Sequence, residues 1–544
     1  MSEEEKPQVD AEGDRRESND EPVEAGKQGE KRIEAIEADE GMEEESRIQD
    51  EYEVDADGVP ARVRILDEEE EYVLTYKVQR PEIRTATEAI LSDLKEQVVR
   101  DVDLSTEEFV NAKELENVKQ KFRDQAMAHL EEELPATSER AKKILIGNLI
   151  HEMLGLGDIE ILLNDQHLEE IVINSSQEPA WVYHKELGWM KTDIEFSDED
   201  QVYNYASEIG RRVGKNISSL HPLLDAHLPS GDRTNATLYP ISTQGNTITI
   251  RKFARDPWTI TDFIENGTIT REVAAFLWLC LQYELNVIVS GGTGAGKTSL
   301  LNVLMPFIPP NQRILSIEDT REVSLPNFLH WVPLTTREPN PEGKGGVSML
   351  DLLVNALRMR PDRILVGEIR KKQQAEVLFE AMHTGHSVYS TLHADTAEQT
   401  VRRLVNPPID VPKTMVDAVD VNVVMFRDRR RNFRRVMEVA EISENEEDEV
   451  DADVIYEWQS KEDEVEKKQE STEVYDTLNL HTGMSREEID ENLEEKKKVL
   501  EWMEEKNINE VDTVGKIVAE YYSDPEEIVS LAESNGDPAT VLED

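Results

Sequence analysis

The stretch LNVIVSGGTGAGKTSL, residues 285–300, combines the residue types and the spacing of a phosphate-binding loop. It matches the pattern G-x-x-x-x-G-K-[ST] from Gly291 to Thr298, directly after an apolar, β-branched run. Glycines let backbone N–H groups turn inward around an anion, and a helix beginning near Lys297 directs its positive end at the phosphates. We expect Lys297 to reach the β- and γ-phosphates of a nucleotide and Thr298 to hold Mg²⁺. The residues expected to surround the phosphates are Gly291, Gly292, Thr293, Gly294, Ala295, Gly296, Lys297, Thr298 and Ser299.

Three other apolar segments end in side chains that are able to act on a phosphate. They are RILSIEDTREVSLP, ending its strand at Glu318, RPDRILVGEIR, ending at Glu368, and YSTLHADT, ending at His393. Ligands of open parallel sheets bind at the carboxyl ends of the strands, so we expect these three side chains to meet at the phosphates. Of two carboxylates near Mg²⁺-ATP, one polarises water and the other holds the metal's water shell. Glu318 is the expected metal-side carboxylate.

The carboxylate Glu368 has a competing structural interpretation. A nucleotide-binding strand of this kind usually ends in Asp, and Gly367 takes that place here, which would let backbone and water approach closely. The alternative is a strand-end salt bridge from Glu368 to Arg363 or Arg370. His393 has a similar alternative as a hydrogen-bonded spacer, and the pattern AMHTGHS favours packing or loop-shaping roles for its two histidines.

Periodicity divides the chain into five parts. Residues 1–60 are acidic and poor in apolar side chains, which predicts disorder. Residues 61–253 alternate helical and strand patterns, 254–268 have the character of a linker, and 269–442 show the strand–helix alternation of a parallel sheet. We expect an acidic loop and a helical extension over 443–544, with Ser485 and Glu488 forming a capping box.

The composition excludes several classes of protein. The 544 residues include 116 Asp and Glu against 60 Lys and Arg, a formal net charge of −56 at pH 7. Such a surface argues against nucleic-acid binding and is typical of proteins that stay soluble in high salt, although acidic tails alone would have the same effect. A single cysteine, Cys280, excludes an internal disulfide, and the apolar runs are too short to span a bilayer. We therefore predict a cytoplasmic protein from a salt-loving organism.

Together the motifs resemble a known family. The series GGTGAGKTS, IEDTREVSLP, LRMRPDRILVGEIR and AMHTGHSVYSTLHADT is similar to the four boxes of the secretion-type motor ATPases, which drive type II secretion, type IV pili and archaeal surface filaments. The resemblance covers residues 271–405 and extends through 220–255, where HPLLDAHLPSGDRTN resembles the family's N-terminal domain. With no four-cysteine module, the sequence is most similar to the archaeal branch, namely archaellum motors and pilus-assembly ATPases.

This resemblance implies an α/β fold, in which a RecA-like C-terminal ATPase domain with a parallel sheet follows a smaller α/β N-terminal domain and an acidic disordered tail. It implies a homohexamer that uses ATP and Mg²⁺ between the two domains and acts on a polytopic membrane platform protein at the inner face of the membrane. By motif position, Arg233 and Arg251 are expected at the γ-phosphate, with Arg211 and Arg212 as weaker candidates. Salt bridges on the sheet surface are the alternative for these arginines.

Other interpretations remain open at this stage. A type II secretion-like export ATPase has the same motifs, a RecA-like nucleic-acid motor shares the P-loop, and a nucleotide-gated scaffold would explain the missing strand-end Asp. The basic segment RDRRRNFRR, residues 427–435, is interpreted as a hairpin that balances the acidic body. A loop that grips a partner or lipid head groups is the alternative for it.

Overall fold

The computed structural model describes residues 36–37, 47–69, 71–83, 85–101, 112–228, 230–253, 257–337, 339, 343–444 and 450–542. Within those residues, the strands form two sheets of nine strands each and one small additional pair. Helices pack on both sheets, so the predicted α/β class is confirmed. None of the helices in these ranges is both long and apolar enough to cross a bilayer.

The first sheet is built from strands in the N-terminal half of the chain. The strands of this half are β1 (Ile36–Glu37), β2 (Arg47–Ala56), β3 (Val59–Asp67), β4 (Thr75–Gln79), β5 (Glu82–Ile83), β6 (Leu168–Ile173), β7 (Trp181–His184), β8 (Gly188–Thr192), β9 (Leu223–His227), β10 (Arg233–Thr237) and β11 (Thr247–Arg251). The sheet has the order β2-β3-β4-β8-β7-β6-β11-β10-β9, while β1 pairs with β5. Its helices are α1 (Thr85–Asp101), α2 (Ala112–Glu133), α3 (Glu139–Met153), α4 (Ile159–Asn164) and α5 (Glu199–Arg212).

The predicted disordered tail does not extend to residue 60. Strand β2 pairs with β3 around a turn at Asp57 and Gly58, both of which have positive φ. Val54 and Ala56 are buried, while the acidic residues that alternate with them, Glu53 and Asp55, are exposed. A half-buried strand tolerates this alternation, so the acidic composition concealed a hairpin. Residues 1–35 and 38–46, which the prediction also covered, lie outside the described residues.

The second sheet carries the phosphate-binding motif. Its strands are β12 (Val287–Gly291), β13 (Ile314–Glu318), β14 (Trp331–Thr335), β15 (Arg363–Val366), β16 (Ser387–Leu392), β17 (Val421–Asp428), β18 (Phe433–Glu444), β19 (Val450–Gln459) and β20 (Glu464–Lys467). The order is β14-β13-β15-β16-β12-β17-β18-β19-β20, and the neighbours from β14 to β17 are parallel. Strands β12 and β13 are buried at every position, because helices cover both faces of a parallel sheet.

The helices around this sheet follow the expected alternation. They are α6 (Ile260–Glu265), α7 (Arg271–Gln282), α8 (Lys297–Leu304), a 3₁₀ turn (Met305–Phe307), α9 (Met349–Ala356), α10 (Lys372–His383), α11 (Ala397–Val405) and α12 (Lys413–Val416). Helix α6 lies inside the predicted linker 254–268 and begins with a capping box from Thr259 to Asp262. The linker prediction therefore missed one short helix, and residues 254–256 lie outside the described part of the chain.

The C-terminal part differs from the expected loop and helices. Strands β19 and β20 extend the second sheet through residue 467, where the sequence predicted only an acidic loop, because outward acidic residues again alternate with inward ones. The helices of this part are α13 (Glu473–Thr482), α14 (Arg486–Glu505), α15 (Val511–Ser523), α16 (Pro525–Glu533) and α17 (Ala539–Leu542). The Ser485–Glu488 capping box is confirmed. The apolar faces of α14 and α15 share one buried cluster with α7, so these helices pack on their own sheet.

Candidate nucleotide-binding site

The phosphate-binding loop connects β12 to α8 with a backbone that only glycine adopts without strain. Gly291 has a φ of 149°, and a Cβ atom on it would lie 2.5 Å from the carbonyl oxygen of Met425. Gly296 precedes α8 with a φ of 93° in the left-handed region. The N-terminus of α8 therefore opens onto the loop, as an anion site requires. Thr298 and Ser299 are partly buried in the first turn of α8, and Thr293 and Gly294 are exposed.

The lysine of the loop is buried and is poised beside the neighbouring strand. Its Nζ donates to the carbonyl oxygen of Gly292 at 3.0 Å and lies 3.3 Å from Nδ1 of His393. Burial lowers the pKa of Lys297, against the opposing effect of Glu368. Phosphate oxygens would replace these weak acceptors with charged ones, which strengthens each hydrogen bond of the ammonium group.

The ends of two strands, β15 and β16, bring Glu368 and His393 beside this lysine. Strand β16 lies between β12 and β15, and β13 follows β15. Nε2 of His393 lies 3.3 Å from Oε1 of Glu368, so Lys297, His393 and Glu368 form one chain of polar contacts. Burial lowers the pKa of His393, and the positive charge of Lys297 acts in the same direction. A neutral imidazole accepts from the lysine at Nδ1 and donates to the carboxylate at Nε2.

Glu368 also has the salt bridge that the alternative interpretation expected, with one of the two arginines. Its Oε2 lies 2.7 Å from Nη2 of Arg370, whose Nη1 lies 3.1 Å from Asp319. Arg363 is fully buried and donates to Ser387 and Tyr389 instead, so that half of the alternative is wrong. The nearest atom to a Cβ built on Gly367 would be Cα of Glu318, at 3.7 Å. Packing within the chain thus leaves room for a side chain at Gly367, and the expected approach of water there stays a prediction.

Glu318 occupies a different environment from Glu368. It is 2% exposed, and its Oε1 accepts the backbone N–H groups of Glu322 and Val323 at 2.8 and 3.0 Å. Its Oε2 is buried and has no hydrogen-bond partner among the described residues. Burial raises the pKa of Glu318 to about 7. Two strands separate it from β12, and its metal role therefore stays a prediction.

The available donors fit Mg²⁺ only in combination with a nucleotide. In the described ranges, no group of three or more His, Cys, Asp or Glu side chains is arranged to hold a metal ion. Magnesium in nucleotide sites keeps several waters and takes its other ligands from phosphates and one or two side chains. Thr298 and Glu318 stay the predicted metal-side residues, and Oε2 of Glu318 has no hydrogen-bond partner among the described residues.

The pKa of Glu318 leads to a testable dependence of stability on pH. The carboxyl group holds its proton more tightly in the folded chain, where its pKa is about 7, than in the unfolded chain, where the pKa has its ordinary value of 4.5. Folding stability from this group is therefore lost as pH rises from 4.5 through 7, by on the order of 3 kcal/mol. Glu318→Gln removes the titration, so its thermal unfolding midpoint relative to the unaltered chain should be higher at pH 8 than at pH 5. An equal difference at both pH values would contradict this assignment.

The two predicted arginines of the first sheet face the loop that follows Glu318. Arg233 and Arg251 lie directly opposite each other on β10 and β11. Arg233 pairs with Asp225 at 2.9 Å, and this partner, with smaller effects of Asp319 and Glu322, raises its pKa. Nη2 of Arg251 lies 3.6 Å from Oε1 of Glu322. Arg233 therefore forms the salt bridge on the sheet surface that the alternative interpretation expected, while Arg251 contacts the loop after β13 of the second sheet.

The weaker arginine candidates are not brought to this loop. Arg211 and Arg212 pair with Glu208 on their own helix, and Arg212 also donates to the carbonyl oxygen of Leu154. Within the part of the sequence that the structure describes, neither residue has a contact with the polar chain around Lys297.

The basic segment 427–435 is a hairpin, as predicted, but it contacts the phosphate-binding loop. Arg434 donates from Nε to the carbonyl oxygen of Gly294 at 3.3 Å. Nη1 of Arg427 would lie 2.7 Å from a Cβ on Gly294. Sequence reasoning missed both residues, because the order of strands in the sheet places β17 beside β12 and no local pattern shows that order. The one available signal was a basic pair flanking an apolar strand.

The fold and the site define an α/β protein with a P-loop and with carboxylates at the ends of two neighbouring strands, β13 and β15. The profile of the family described as "Type II/IV secretion system protein" matches residues 152–513. The chain belongs to this family, and the resemblance seen in its motifs is confirmed.

Individual relatives support the same assignment. An uncharacterized protein of Methanocaldococcus jannaschii is 40% identical over 332 residues, which are 60% of this chain and 59% of that protein. A putative conjugal transfer protein of Mycobacterium tuberculosis is 32% identical over 260 residues, 46% of this chain and 73% of that protein. The type IV secretion system protein PtlH of Bordetella pertussis is 31% identical over 306 residues, 50% of this chain and 89% of PtlH. The chain thus spans little more than half of the archaeal relative.

Solved structures of similar proteins also match. The VirB11 ATPase from the Brucella suis type IV secretion system is 27% identical, with a TM-score of 0.27, over 51% of this chain and 90% of that one. The pilus retraction motor PilT with bound ADP is 18% identical, with a TM-score of 0.37, over 57% of this chain and 86% of that one.

Proposed function

We propose that the protein is an ATP-hydrolysing motor that powers the assembly or rotation of an archaeal type IV pilus-like surface filament. The observation that carries the proposal is the chain of contacts from Lys297 through His393 to Glu368, beside a glycine-rich loop. It connects the residue expected to bind the phosphates to the carboxylate expected to activate water. A nucleotide-gated scaffold without hydrolysis would have no use for that connection.

The expected reaction is transfer of the γ-phosphoryl group of ATP to water. The loop N–H groups and Lys297 bind the phosphates, and Glu368 orients the attacking water and accepts its proton. His393 holds the Glu368 carboxylate in place through Nε2. Mg²⁺, when bound, neutralises charge on the phosphates. Thr298 and Glu318 are the residues that would hold it.

Arginines of the first sheet complete the proposed site. Arg233 and Arg251 already approach the 318–322 loop, and a γ-phosphate there would offer them an anion in place of Glu322. Such a movement would close the first sheet onto the second on ATP binding and reopen it after hydrolysis. In a closed homohexamer this stroke would be passed to a polytopic platform protein at the inner face of the membrane.

A protein-export ATPase is the second candidate function. The match to PtlH, a type IV secretion system protein, covers 89% of that relative and favours export. The match to proteins of an archaeon favours the surface filament. Deletion of the gene in its host separates the two, since lost filaments with normal export support the motor, and lost export with normal filaments supports the alternative.

Phosphate release tests the proposed activity directly. The full-length chain should release phosphate from ATP in a Mg²⁺-dependent way, measured across a KCl series because so acidic a protein is expected to fold best in salt. Light scattering of the same sample should give the mass of six chains. Folded protein that binds ATP without releasing phosphate at any salt concentration would favour the scaffold. Salt-sensitive DNA binding would favour a nucleic-acid motor.

A further inference from the structure

The hairpin between β17 and β18 joins the phosphate-binding loop to the first sheet. Gly291, the last residue of β12, lies in register with Met425 of the parallel strand β17. Arg427 follows Met425 by two residues and is therefore level with the phosphate-binding loop that follows Gly291. Arg434 is the cross-strand partner of Arg427, which places both side chains on the face toward the loop. Two like charges side by side repel each other, so an anion nearby would relieve that cost.

The side chains of both arginines lie against the loop. Arg434 donates to the carbonyl oxygen of Gly294, and its Cδ would lie 3.2 Å from a Cβ on Gly296. Nη1 of Arg427 is close to Gly294 as well. Among the described residues, no carboxylate forms an ion pair with either arginine, although the protein has a net charge of −56. The Nε of Arg427 is buried and has no hydrogen-bond partner in the described ranges.

The same arginine reaches the first sheet with its other nitrogen. Nη2 of Arg427 donates to the hydroxyl of Tyr183 on β7, and the guanidinium carbon lies 5.8 Å from the centre of that ring. The Tyr183 hydroxyl donates to Oδ1 of Asn432 at 3.2 Å, and Asn432 donates to the carbonyl oxygen of Glu186 at 2.6 Å. One side chain therefore contacts both the loop and the first sheet.

We propose that Arg427 is a positioning residue that links occupancy of the phosphate-binding loop to the first sheet through Tyr183. This inference rests on the proposed ATPase function. Guanidinium has five donors in a fixed, planar arrangement, so Nη1, which lies beside Gly294 of the loop, can donate to a bound phosphate while Nη2 stays on Tyr183. A bound nucleotide would then stabilise the hydrogen bond between Arg427 and Tyr183. Because coupling between two binding events is reciprocal, that hydrogen bond would raise the affinity for nucleotide by the same factor.

A double-mutant cycle on nucleotide affinity tests the link. The probes are Mg²⁺-ADP and the Mg²⁺ complex of a non-hydrolysable ATP analogue, titrated by calorimetry into the full-length chain. We expect roughly a 10-fold loss of affinity for Arg427→Gln and roughly a 3- to 10-fold loss for Tyr183→Phe, which removes one hydroxyl from the first sheet. The double variant should bind no more weakly than Arg427→Gln alone, because the tyrosine acts only through the arginine.

The matched control is Arg430→Gln, which removes the same charge from the exposed tip of the hairpin and should retain the affinity of the unaltered chain. Thermal unfolding without nucleotide checks that all variants fold alike. Unchanged affinity in Tyr183→Phe, or additive losses in the double variant, would overturn the link. A failure of the unaltered chain to bind either probe would reject the proposed function and this inference with it.

Discussion

Lys297→Ala is expected to weaken ATP binding roughly 100- to 1,000-fold. The ammonium group is buried beside the loop, where its partners among the described residues are the neutral groups of Gly292 and His393, so it can exchange both for phosphate oxygens. Hydrogen bonds to charged groups contribute about 1.5–3 kcal/mol each, and every 1.4 kcal/mol changes affinity about tenfold. Calorimetric titration with Mg²⁺ and a non-hydrolysable analogue measures the loss.

The control for this change is Lys372→Ala. Lys372 is the first residue of α10, which follows β15 of the same sheet, and its exposed ammonium group pairs with Asp410 at 2.7 Å. That variant should bind as the unaltered chain does. Tight binding by Lys297→Ala would show that the phosphates lie elsewhere, and the assignment of the loop would then fail.

Glu368→Gln is expected to bind ATP normally and to lose turnover roughly 100- to 10,000-fold, the range typical of a lost general base. The amide has nearly the shape of the carboxylate, so its contacts with His393 and Arg370 are largely kept. It cannot accept a proton from water. Phosphate release at saturating ATP measures turnover, and calorimetry measures binding in the same preparation.

Glu376→Gln is the matched control for turnover, because Glu376 lies on α10 in the same sheet region with its side chain about half exposed. Its rate of phosphate release should equal that of the unaltered chain. If Glu368→Gln also retains the full rate, Glu368 is not the catalytic carboxylate and the salt bridge to Arg370 is its main role.

Local sequence patterns were sufficient to predict the loop and the strand ends. Glu318, Glu368 and His393 each stand at the end of an apolar run, and parallel strands place such ends at the same edge of a sheet, although strand order sets the distances between them. The contacts of Arg427 and Arg434 required knowledge of which strand lies beside β12, which depends on pairing between distant segments. The environment of Glu318 was also hidden, because two backbone N–H groups from the following loop enclose its carboxylate.

Acidic surface residues explain the other differences between prediction and structure. In β2 and β19 the outward positions carry Asp and Glu, so average composition indicated disorder for the first segment and a loop for the second, where alternation with inward positions indicates strands. The start of α14 was predicted correctly, because the capping box from Ser485 to Glu488 marks it in the sequence.

Helix α7 is buried from Val273 to Leu281 without an exposed face, and the residues that cover one side of it belong to α14 and α15. A helix that is apolar all round is stable only inside a core. Any shortened version prepared for crystallisation or biophysics must therefore retain the chain through α15. A fragment that ends after β20 would expose the apolar helix α7 to solvent. We expect such a fragment to aggregate before its activity can be measured.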